Sequence, residues 1–254
     1  MDGTGDQPLI LLHGVGNNYQ SWKNVREHLD TSIFRVYIPE LLGFGDAPKP
    51  KNIQYTLADH AEAVINTIDG LEVKDVMLAG HSMGSLVAIE VAMRRPDLVK
   101  HLTLLGVPLY ETMPKGGKLR RFFNAEGIYF NIFSFLQENQ DLVITGSTVA
   151  EDLLPQLHGL EVTKENWNAY EKSLSNSIIQ TKSYRDVGNL QVPTSIVCGL
   201  LDLFVINRVV RKAASQNKDY VKVKTMLGLH EITPRQGKHV ARMMRSAAKR
   251  YGTS

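Results

Sequence analysis

Residues 77–89 read MLAGHSMGSLVAI. Met77–Gly80 close an apolar run as long as a buried strand, and Ser85–Arg94 continue with helical spacing. Between them Ser82 stands with Gly80 two residues before it and Gly84 two after. One reading is a tight glycine turn that packs a helix on a strand. The other is a nucleophile lifted into the open. Glycines then clear the space where strand and helix nearly touch, the serine takes a strained backbone, and the helix N-terminus favours developing negative charge. With 20 glycines and 14 serines among 254 residues, a G-x-S-x-G match arises by chance in roughly 0.1 of such chains, so the motif needs partners elsewhere.

A serine hydroxyl needs a base, and the base needs an orienting group. The apolar runs say where to look. PLILLHG (8–14), IFRVYIP (33–39), DVMLAG (75–80), HLTLLGV (101–107), TSIVCGL (194–200) and VKVKTML (221–227) alternate with helical segments. One helix carries Trp22, Val25 and Leu29 on one face. Another opens with Thr56 and Asp59 in capping-box spacing, a third lies near 207–215, and a basic amphipathic one spans about 239–251. Such alternation predicts an α/β fold: a mainly parallel sheet with helices on both faces and ligands at the carboxyl ends of its strands.

Asp202 follows Gly199 by three residues, and His230 comes just after the last apolar run. Both fall at the edge that carries Ser82, in the chain order Ser, Asp, His. The other histidines fit the role of base less well. His28 and His60 read as solvent-facing helix residues, and His101 opens a strand at the opposite edge. His158 falls in a long interval, His239 begins the last helix, and His81 is expected to point away from the base. Backbone donors for a tetrahedral oxyanion are expected from LLHGVGNN after the first strand: the amides of Val15 and Met83, with Gly14 in the loop and His13 propping it. That loop is not a dinucleotide fingerprint, because Tyr19 stands where the third glycine belongs. It is not a phosphate loop either, since no Gly-Lys-Ser/Thr follows. No H-E-x-x-H occurs, and His230-Glu231 lacks a second histidine at ligand spacing. Neither a metal nor a cofactor is expected.

The interval 109–182 breaks the alternation. It is aromatic early (Phe122, Phe123, Tyr129, Phe130, Phe133, Phe135) and helical late (KENWNAYEKSLSNSII, 164–179). That is too long for a plain connection and predicts an inserted helical subdomain, its aromatics shared between a small core of its own and an apolar pocket. Residues 1–108 and 183–254 then form the core domain.

Hydrophobic residues make up 43% of the chain, charged residues 22%, and the net charge is +3. Basic residues are dispersed apart from short clusters such as Lys118–Arg121, and there is no zinc-finger spacing or RNA-binding aromatic motif, so no nucleic-acid partner is expected. The single cysteine, Cys198, lies in an apolar run and excludes an intrachain disulfide. With no signal-peptide layout in MDGTGDQ, the expected location is cytoplasmic. No apolar run reaches the ~18–20 residues of a membrane span.

Taken in order, LILLHGVG, RVYIPELLGFGDA, LAGHSMGS, RRPDLVKHLTLLG, VPTSIVCGLLDLFV and GLHE resemble the α/β-hydrolase superfamily along nearly the whole chain. The resemblance implies a Ser82–Asp202–His230 triad and an insertion that acts as a helical cap over the substrate pocket. It also implies differences. The chain starts almost at the first core strand, where relatives carry a hairpin, so N-terminal edge strands are expected to be missing. An exposed sheet edge would leave a homodimer open. Ser85 stands where a glycine is frequent, and Ala47 where a serine is frequent. The expected activity is a serine hydrolase acting on small or medium carboxylic esters with an apolar acyl or aromatic group. Aspartate-nucleophile relatives are disfavoured by Ser82 itself. Carbon–carbon cleavage of ring-fission products, cofactor-free perhydrolysis with the same triad, and a non-catalytic ligand-binding receptor remain open alternatives.

Overall fold

The computed structural model describes residues 2–111, 125–153 and 158–252. Six strands form one sheet: β1 (Gln7–Leu12), β2 (Phe34–Tyr37), β3 (Val76–His81), β4 (Val99–Leu105), β5 (Thr194–Gly199) and β6 (Val221–Met226). Their order is β2-β1-β3-β4-β5-β6, and every pairing is parallel. The register sets Leu12 beside Gly80, His81 beside Leu105 and Gly199 beside Met226, so the carboxyl ends of the inner strands share one edge. β1 and β3 are buried along their whole length, as near-continuous apolar runs covered on both faces should be.

Helices α1 (Lys23–Arg26), α2 (Leu57–Gly70) and α3 (Met83–Arg94) follow the first three strands. The capping box of Thr56 and Asp59 is formed, each side chain bonding the other's backbone amide. Beyond β4 lie α4 (Ala125–Glu138), α5 (Gln140–Leu153) and α6 (Trp167–Ser173). The last continues as a π-helical turn over Leu174–Ile179, and α7 (Ser183–Val187) leads into β5. Helices α8 (Asn207–Ser215) and α9 (Pro234–Tyr251) complete the chain. One apolar core lies under α2, α3 and the inserted helices. The other, built on Trp22, Val25, Val240, Ala241 and Met244, lies under α1 and α9.

Three expectations need correction. α9 begins at Pro234, five residues before the expected start: Thr233 and Gln236 form a second capping box. Within this helix, Gly237 lets α9 cross α1 closely. A Cβ there would lie 2.1 Å from the carbonyl oxygen of Asn24. β4 begins at Val99, so His101 is its third residue, buried against Ser195 and stacked on Tyr251. His60 does not face solvent. It is fully buried, with Nε2 3.1 Å from Ser173 Oγ, because the insertion covers that face of α2. His28 is exposed, in the turn after α1.

The sheet ends at β2, whose Val36 makes an isolated antiparallel bridge with Asp2. Among the described residues no helix is long and apolar enough to cross a membrane. Phe122, Phe123 and the Lys118–Arg121 cluster lie outside the described residues.

Candidate active site

Ser82 caps the N-terminus of α3 with φ 53° and ψ −121°, a conformation that costs a non-glycine residue about 1–3 kcal/mol. Backbone bonds over-determine it. Its amide donates to Leu105 O at 2.9 Å, and its carbonyl takes the amide of Ser85 at 2.9 Å. The flanking glycines are close approaches. A Cβ on Gly80 would lie 2.3 Å from Gly84 O, and one on Gly84 would lie 2.2 Å from Leu12 O of the neighbouring strand. Ser85 adds a brace. Its hydroxyl lies 2.7 Å from Gly80 O and 3.0 Å from Leu105 O, tying the start of α3 to β3 and to the neighbouring strand β4.

The loops after β5 and β6 bring Asp202 and His230 to this serine. His230 Nε2 is 3.0 Å from Ser82 Oγ, and Nδ1 is 3.0 Å from each carboxylate oxygen of Asp202. The carboxylate takes Nδ1–H, which leaves the Nε2 lone pair to accept from the serine hydroxyl. Asp202 is 6% exposed and also accepts the amide of Phe204 at 2.8 Å. Burial works against the charged imidazole of His230, but the Asp202 hydrogen bond and charge outweigh it. The net pKa lies above the ordinary histidine value.

His81 was expected to point away from the base, yet it touches it. Its Nε2–H donates to His230 O at 2.8 Å, and the two rings are 5.1 Å apart. Burial holds its pKa below the ordinary value, so the ring is neutral. His13 is fully buried. Its Nδ1 bonds Gly14 O at 2.8 Å while Nε2 takes the amide of Leu41 at 3.0 Å, beside the Glu40 carboxylate. Val15 follows in the same loop, and Met83 is the first residue of α3, where an N–H precedes the helical ladder.

A cavity of about 250 Å³ opens beside Ser82. Gly14, Val15 and His230 line its floor; Phe133 and Leu136 of α4, Tyr170 of α6, and Leu174 and Ile178 of the π-helical turn form its walls. Burial pushes the Tyr170 hydroxyl up to about 12. Phe204 closes one side, its ring 4.8 Å from that of His230 and 6.1 Å from that of Phe133. Of the described insertion aromatics singled out in the sequence, Phe133 lines the cavity. Tyr129 and Phe130 pack partly buried against the core, and Phe135 is 51% exposed. The apolar spacing of 170, 174 and 178 was a legible signal for the wall; Phe204 had none beyond adjacency to the acid loop.

The insertion is tied to the serine's surroundings by backbone bonds. Asn17 and Leu160 form an antiparallel bridge, Asn18 N donates to Gly159 O at 2.8 Å, and Glu161 N donates to Gly16 O at 2.7 Å. A second set holds the same region to the loop before α2. Lys172 Nζ, Asn176 Nδ2 and Ser177 Oγ donate to the carbonyls of Ile53, Gln54 and Tyr55. Among the described residues no cluster of three or more His, Cys, Asp or Glu could hold a metal ion.

The comparisons with known proteins bear on this arrangement. The chain is 32% identical over 115 residues to a probable lysophospholipase, BODYGUARD 4, of Arabidopsis thaliana, covering 44% of this chain and 28% of the relative. It is 33% identical over 101 residues to 2-hydroxymuconate semialdehyde hydrolase of Pseudomonas sp. (strain CF600), covering 39% of this chain and 36% of the relative. The matches thus span about a third of these relatives' length. Among solved structures, an esterase from Exiguobacterium antarcticum superposes with a TM-score of 0.75 over 98% of this chain and 94% of its own, at 18% identity. A family model described as alpha/beta hydrolase fold matches residues 7–228, from β1 through the acid loop to two residues short of His230, and the chain belongs to that family.

Proposed function

We propose that the protein is a serine hydrolase that cleaves carboxylic esters of small or medium apolar acyl groups through an acyl-enzyme on Ser82. The observation that carries this reading is the 3.0 Å contact of Ser82 Oγ with His230 Nε2, backed by Asp202 on Nδ1 and opening onto an apolar cavity. Ser82 Oγ attacks the acyl carbonyl while Nε2 takes its proton. Asp202 holds the ring's tautomer and stabilises the imidazolium. The amides of Val15 and Met83 receive the oxyanion, aided by the N-terminus of α3. Nε2 then gives its proton to the leaving alcohol, and water, activated by the same histidine, releases the acid. Residues 109–182 act as the cap that shapes the acyl pocket, over a core of 1–108 and 183–254.

The cavity's chemistry favours esters over ring-fission products, which carry carboxylates. The described lining residues include no Lys or Arg, and Glu231 adds a negative charge at the rim. A panel of p-nitrophenyl esters of rising chain length, run beside a vinylogous diketone, tests this choice. A fluorophosphonate probe tests the nucleophile: it should label the wild type and leave Ser82→Ala unlabelled. Equal labelling of both would overturn the assignment.

A further inference from the structure

Loops that carry an acid and a base gain nothing from displaying large apolar side chains to water. Yet five leucines stand more than half exposed there: Leu200, Leu201 and Leu203 beside Asp202, and Leu227 and Leu229 beside His230. They form one surface, because Leu200 N bonds Met226 O and Leu201 N bonds Gly228 O. Leu203 and Leu229 directly precede Phe204 and His230, which line the cavity.

Cations rim this surface. Arg211 bonds Thr225 Oγ1, two residues before Leu227, and Lys224 is exposed on edge strand β6. Arg235 and Lys238 are exposed on the first turns of α9, which Gln236 fastens to Leu229 O at 3.0 Å. Burial first, then the charges of Lys224 and Arg242, hold His239 below its ordinary pKa, so positive charge is crowded on that flank. The bias runs through the whole C-terminal part: residues 203–254 hold twelve Lys and Arg against two acids.

From the leucine surface and its basic rim we infer that this face docks on an anionic lipid bilayer, with the leucines in the acyl boundary, the cations among the headgroups and the cavity mouth toward the membrane. A second copy of the same face would set cation against cation, and a nucleic acid would leave the leucines unpartnered. Docking is independent of the chemistry at Ser82. If the ester reading also holds, the bilayer is where an amphiphilic ester would be met.

The test is flotation with vesicles of phosphatidylcholine, alone or with about 30 mol% phosphatidylglycerol. The wild type and Ser82→Ala should both float with the anionic vesicles and not with the neutral ones, and should release at about 0.5 M salt. Arg235→Ala/Lys238→Ala should lower the partition coefficient roughly 30-fold, and Leu200→Ser/Leu227→Ser at least about tenfold. Both double variants should keep the wild-type melting temperature and hydrolysis of a soluble short-chain ester. Failure of the wild type to float would overturn the proposal, as would a leucine variant that floats like it. So would a leucine variant that turns a dimer into a monomer in sedimentation velocity without any vesicle binding. Because Ser82→Ala is in the flotation series, loss of docking and loss of esterase activity are read separately.

Discussion

The residue that precedes Ser82 holds the backbone of the residue that faces it: His81 Nε2–H donates to the carbonyl oxygen of His230 at 2.8 Å. The ring is neutral and buried, so its service is positional. Replacing His81 with Phe keeps an aromatic ring but leaves a buried carbonyl unpaired, which costs about 1–3 kcal/mol. We expect kcat on a p-nitrophenyl ester to fall about tenfold with KM nearly unchanged, as the base loosens. Steady-state kinetics beside a thermal melt check this, and an unchanged kcat would refute the positioning role.

The raised pKa of His230 has a definite sign in both activity and stability. Under the proposed reading the neutral ring is the working base, so kcat/KM should rise with pH through a midpoint above the ordinary histidine value near 6.5. In Asp202→Asn the opposing burial remains and the carboxylate is gone, so the midpoint should move below that value. For stability, a group whose folded pKa is raised contributes fully below its unfolded value and loses that contribution as pH climbs through the folded one. The wild type should therefore lose more stability than Asp202→Asn between pH 6 and 9. Urea melts across that range measure the difference.

Strain at Ser82 predicts a gain in stability when function is discarded. With φ at 53° and ψ at −121°, glycine fits where serine is forced. Relief of about 1–3 kcal/mol, less about 0.5–1 kcal/mol for the freer unfolded chain, should leave Ser82→Gly more stable, by roughly 2–4 °C in Tm. Calorimetry reads this directly, and activity should vanish. A lower Tm would mean that the hydroxyl contributes more to the fold than its backbone costs.

Ser85 offers a milder test. Its hydroxyl bridges Gly80 O and Leu105 O inside the core. Ser85→Ala should cost about 1 kcal/mol, or roughly 2–4 °C in Tm, and reduce kcat less than threefold.

Enlarging the cavity should change which ester is preferred. Phe133→Ala removes a wall ring that touches Phe204 and Tyr110. The best p-nitrophenyl ester should move to a longer acyl chain, with kcat/KM for the shortest ester down about tenfold. An unchanged preference would place the acyl chain elsewhere.

What could be read from the chain divides along physical lines. The strands were legible because runs such as QPLILL and VMLAGH are apolar on both faces, and the capping box of Thr56 and Asp59 because it is local. The edge on which Ser82, Asp202 and His230 meet followed from strand direction alone. What depended on distant contacts was misread or missed. His60 is buried only because Ser173, 113 residues later, lies over it. Gly237 marks a helix crossing with α1 that no spacing rule announces. Phe204 borders the cavity because the amide of its own residue caps Asp202. The excess of basic residues over 203–254 is present in the sequence, but that some of them lie near the exposed leucines depends on how β6 and α9 fold.

The bridge between Asn17 and Leu160 joins two parts that are usually imagined as separable, the loop that would steady the oxyanion and the insertion that would select the acyl chain. Under the proposed reading, selectivity and speed cannot be tuned one at a time here. A graft of a foreign insertion at residues 158–162 would drag the Gly16–Asn18 backbone with it, so exchanging one pocket for another should disturb turnover even where every triad atom is left in place.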